Sequence, residues 1–86
     1  MVWTLKKIAE NENTITIGYS YENNRSCDGI IIYDKKTHEN SLKKISPVQG
    51  ENTDFSRFVG EKAFQFIHGL LRDKKLTEKP YVIYTG

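Results

Sequence analysis

Cys27 is the one thiol in this sequence, and it sits in the stretch Arg25-Ser26-Cys27-Asp28-Gly29. A nearby guanidinium can lower a thiol pKa, and a histidine base can turn such a thiol into a nucleophile. The chain has two histidines, His38 and His68, and neither stands at a spacing that ties it to Cys27. A single cysteine just ahead of an apolar strand is usually a small packing residue. A small enzyme or enzyme subunit built on Cys27 is therefore an alternative that ranks behind a non-catalytic role. Asp34, His38 and Glu39 fall in one turn, but structural zinc is held by several Cys or His ligands at regular spacings. A solvated turn is expected there, with no metal and no cofactor. The sequence has no glycine-rich phosphate loop, serine nucleophile elbow or His-Glu-x-x-His motif.

Lysine pairs at 6–7, 35–36, 43–44 and 74–75 accompany tyrosines at 19, 21, 33, 81 and 84. Sheet aromatics can stack on bases while lysines hold phosphates, so a module for single-stranded nucleic acid is a second alternative. Two features weigh against it. Tyr19 and Tyr21 alternate in phase with Ile15 and Ile17, which marks the core face, and acidic residues interleave with the lysines. Residues 1–53 hold seven basic and seven acidic residues, and the net charge of +2 arises in residues 54–86. That is ordinary solubility, not a nucleic-acid footprint.

The 86 residues are expected to form a single domain, 1–86, with a small core. A lone cysteine and no apolar run of signal-peptide or membrane-span length read as an intracellular, cytoplasmic protein with no membrane partner. The elements that must position any site follow from periodicity. Alternation predicts strands over 2–9, 14–21, 29–34, 41–45 and 81–85, with a turn at Asn11-Glu12-Asn13. Ile30, Ile31 and Ile32 make the third strand apolar on both faces, and Ile30 or Ile31 would offer a second apolar surface if the far face is uncovered. Lys6-Lys7 cannot both reach water from a regular strand, so Trp3, Leu5 and Ile8 share a face only if a bulge occurs near Lys6.

Residues 54–73 carry the one long helical period, with Thr53 or Asp54 as the cap. The order β-β-β-β-α-β implies an α+β fold in two layers, a mostly antiparallel sheet of about five strands under one amphipathic helix. The last strand can pair antiparallel beside the first, the preferred arrangement, or parallel beside the fourth through a right-handed crossover. At about 100° per residue, the sheet-facing stripe runs through Phe58, Phe55, Phe66, Val59, Leu70 and Ala63. A second apolar flank follows, formed by Gly60, Phe64, Ile67 and Leu71. The apolar arc totals about 240°, whereas a surface helix needs a stripe only somewhat wider than 100°. Phe64 and Leu71 are either covered by the loop 46–52 or a curled sheet edge, or they meet a second chain. Gly60 would let another backbone approach. The expectation is a non-catalytic protein-interaction module, binding a protein partner or a second copy of itself through Gly60, Phe64, Ile67 and Leu71.

Overall fold

Strict alternation of apolar and small polar residues makes β2 (Thr14–Tyr21) the centre of the sheet. The computed structural model describes residues 1–47 and 53–85. Around β2 lie β1 (Val2–Glu10), β3 (Gly29–Asp34), β4 (Asn40–Lys44) and β5 (Tyr81–Tyr84). The sheet order is β4-β3-β2-β1-β5, and every neighbouring pair is antiparallel. The last strand does pair with the first, in the register Trp3↔Ile83 and Leu5↔Tyr81. No helix among the described residues is long and apolar enough to cross a membrane.

Local chemistry sets the turns. Asn11 Oδ1 accepts the Asn13 and Thr14 N–H groups, both at 2.8 Å, and closes the first hairpin. In the β3–β4 hairpin Asp34 Oδ1 accepts the Lys36 and Thr37 N–H groups at 2.8 and 3.0 Å. Those bonds hold the Asp34 carboxyl below the usual carboxylate range. The β1 bulge lies between Lys7 and Ala9, one step beyond the expected place. It does not bring Ile8 to the side of Trp3 and Leu5. Ile8 lies on the far face beside Gly18 and is 47% exposed, because the irregularity follows Lys7 and Lys7 itself pairs with core-facing Ile17.

The helix has two segments, α1 (Thr53–Lys62) and α2 (Phe64–Arg72), which meet at Ala63. The Ala63 N–H is shared between the Val59 and Gly60 carbonyls, each at 3.2 Å, and Phe66 N–H reaches the Ala63 carbonyl at 3.1 Å. This tight turn bends the helix over the sheet. Thr53 and Asp54 stand in the first turn, and the capping position ahead of them lies outside the described residues, as does the part of the loop 46–52 from 48 onward. At the other end Lys75 N–H bonds to the Leu70 carbonyl (2.8 Å) and Lys74 N–H to the Leu71 carbonyl (3.2 Å). Lys74 is left-handed (φ 57°), the geometry of a Schellman stop.

The facing of the helix differs from the expected one. Ser56, Val59, Gly60, Ala63, Ile67 and Leu70 are buried, whereas Phe55 and Phe58 are exposed. The buried arc is turned by roughly 80° from the predicted stripe on a 100°-per-residue wheel. The cause is Tyr19. Its ring lies across Gly29, its neighbour on β3, where any Cβ would overlap the ring. Its hydroxyl ends against Gly60, which also meets Leu42. Only a residue without a side chain fits there, so Gly60 and the small Ala63 form the line of closest approach and the bulky phenyl rings ride at the rim.

Helix propensity alone makes Gly→Ala stabilising by about 1 kcal/mol at any interior helix position. The Tyr19 contact reverses that sign at Gly60, where Gly60→Ala is expected to destabilise by about 1–3 kcal/mol. Gly69 meets only Arg72 at 3.9 Å, so Gly69→Ala is expected to stabilise. Thermal unfolding of the two variants checks this: the Tm of Gly60→Ala should fall and that of Gly69→Ala should rise.

Candidate functional site

The four residues of the expected partner flank lie on the inner side of the helix. Gly60 and Ile67 are buried, Ile67 completely, and Phe64 and Leu71 are half-buried against the core. In one subunit this flank is the core-facing side. The surplus apolar surface is real, but Phe55 and Phe58 carry it. Phe55 is 39% and Phe58 57% exposed, and their rings stack at 6.5 Å. Lys62 Nζ stands 5.5 Å from the Phe58 ring centre, a cation–π contact. Arg57 and Glu61 lie beside them as an i,i+4 pair at 3.7 Å. The result is an aromatic pair ringed by charge on the outer face of α1.

The candidate chemistry is dispersed. Cys27 is buried on the sheet face opposite the helix, and a Cβ on Gly18 would meet its carbonyl. Its backbone is left-handed (φ 54°), its N–H donates to Ser20 Oγ at 3.2 Å and its Sγ contacts the Thr4 carbonyl at 3.8 Å. Burial pushes the thiol pKa up, which disfavours the nucleophilic thiolate. His38 and His68 lie on the helix side of the sheet, away from Cys27. Tyr19, Tyr21 and Tyr33 are core residues, Tyr81 is half-buried, and Tyr84 alone of the five tyrosines is widely exposed, at 73%. Ile31 is wholly buried under the helix, whereas Ile30 and Ile32 are half-buried on the far face. That face is partly covered by the loop that carries Cys27.

A partly buried polar chain closes one end of the core. Ser46 N–H donates to the Tyr19 hydroxyl at 3.0 Å, and Ser46 Oγ donates to Asp28 Oδ1 at 2.6 Å. Asn24 Nδ2 donates to both Asp28 Oδ1 and Ser46 Oγ, at 3.2 and 3.3 Å. Burial raises the Tyr19 phenol pKa, and the Ser46 N–H partly offsets the rise. This chain ties the loop 22–28 to the end of β4, and its groups hydrogen-bond one another.

Sequence reasoning missed two juxtapositions: the outward Phe55–Phe58 pair, and His38 against His68. The small residues at 56, 60 and 63 were a usable signal for the first. No local signal exists for the second. Compared with models of known families, with curated proteins and with solved structures, the chain gives no match in any of the three. The roles of its residues therefore rest on geometry.

If Cys27 is a packing residue, a thiol reagent should modify the native protein far more slowly than a free thiol at pH 8. The rate should reach the free-thiol value in denaturant. Stoichiometric fast labelling of the folded protein would contradict the packing role.

Proposed function

We propose that this protein is a non-catalytic cytoplasmic interaction module that associates through the outer face of α1, with a second copy of the chain as the partner tested first. The observation that carries this reading is Phe58. A phenyl side chain gains about 1.5–3 kcal/mol when fully buried, and here more than half of it faces solvent although the sheet lies within reach of the same helix. Phe55 stacks on it, while Arg57, Glu61 and Lys62 supply a charged rim. Aromatic anchors inside a polar rim are the usual composition of an interface centre. The inner residues Gly60 and Ile67 contribute by fixing which face is left outside, and the half-exposed edges of Phe64 and Leu71 extend the apolar surface.

Sedimentation velocity over a concentration series, on wild type and Phe58→Glu, tests this directly. The sedimentation coefficient of wild type should rise with concentration, and that of the variant should stay at the monomer value while it keeps the native circular dichroism spectrum. Monomers of both proteins throughout, or equal association of both, would overturn the reading.

A further inference from the structure

We propose that His38 and His68 form a two-imidazole site for a divalent transition ion of the zinc–nickel–copper class, bridging the β3–β4 hairpin to α2. The two rings come from positions 38 and 68, yet their centres are 6.0 Å apart and their planes lie at 87°. His38 is held firmly. Its backbone is left-handed (φ 61°), its N–H donates to the Asp34 carbonyl at 2.8 Å, and the Asp34 N–H closes the hairpin on Glu39 at 2.8 Å. Its Nδ1 is 2.7 Å from the hydroxyl of Tyr33, a core residue. That bond leaves Nε2 as the nitrogen open to a metal, with Nδ1–H then donating to the phenol oxygen. Ligating histidines are characteristically oriented in this way, by a partner on the second ring nitrogen.

The spacing suits shared coordination. With a metal–nitrogen bond of about 2.1 Å and a ring nitrogen about 1.1 Å from its centre, two imidazoles at a tetrahedral angle have centres about 5.2 Å apart. Exposed His68 closes the remaining distance by side-chain rotation, while buried Ile67 and Leu70 keep its helix in place. Arg72, one turn further on, is paired with Asp73 at 3.2 Å. Asn40, opposite Tyr33 on the next strand, has a buried Oδ1 with no hydrogen-bond partner among the described residues. No group of three or more His, Cys, Asp or Glu that could hold a metal occurs among the described residues, so waters complete the shell and binding is modest and exchangeable.

Because the unfolded chain separates the two rings, an ion held by both raises thermal stability by mass action. The test is thermal unfolding with nickel chloride, zinc chloride or excess EDTA, on wild type, His38→Ala and His68→Ala. At pH 7.5 the metal should raise the wild-type Tm by several degrees, reversibly with EDTA, and each variant should lose the rise. The proposal is overturned by no rise at millimolar metal or by an equal rise in either folded variant.

Discussion

Tyr19 is the side chain on which the arrangement of this molecule turns. It projects from the central strand, lies across Gly29 on the neighbouring strand and ends against Gly60 on the helix. Both glycines are required there for the same reason: a Cβ at either would enter the space of the Tyr19 side chain. The hydroxyl does not end in an apolar void, since the buried Ser46 N–H donates to it. Burying that phenol without a partner would cost on the order of 1–3 kcal/mol, so the Ser46 bond is what makes a tyrosine tolerable at the centre of the core. One ring thus sets the distance between sheet and helix, the rotation of the helix and the path of the chain after β4.

The rest of the packing follows from that rotation. With Gly60 and Ala63 at the closest approach, Val59, Ile67 and Leu70 point into the sheet, and Phe66 reaches Trp3, with ring centres 5.4 Å apart. Trp3 in turn packs edge-on against Tyr21 at 4.6 Å. The bend at Ala63 lets both segments follow the twisted sheet. Phe55 and Phe58 are left outside, and His68 is brought over the β3–β4 hairpin beside His38. Both surfaces proposed for binding are consequences of where one phenol sits.

The strands were legible in the sequence because a period of two is a direct signature of a half-buried strand. Ile15, Ile17, Tyr19 and Tyr21 announced β2 to the residue, whereas the order of elements left β5 two places, beside β1 or beside β4, and the structure takes the first. The bulge was legible from Lys6-Lys7 as a conflict of facing, although its position after Lys7 was not. The helix rotation was not legible. Weighting by hydrophobicity gives phenylalanine the inner face, whereas close packing gave that face to Ser56, Gly60 and Ala63, because a tyrosine from a distant strand occupied the space. The sequence carries a trace of this in the small residues at 56, 60 and 63. The meeting of His38 and His68 depends on a hairpin and a helix thirty residues apart, and neither residue carries a local sign of it. Cys27 is buried, and burial raises its thiol pKa.

Nuclear Overhauser contacts of the Tyr19 ring in solution report whether it stands between sheet and helix. Its ring protons should show contacts to the α-protons of both Gly29 and Gly60, with the Gly29 α-protons shifted by the ring current. Phe58 should show no contacts to Ile17 or Ile31. Contacts from Phe55 and Phe58 to the sheet core, without any between Tyr19 and Gly60, would contradict that placement.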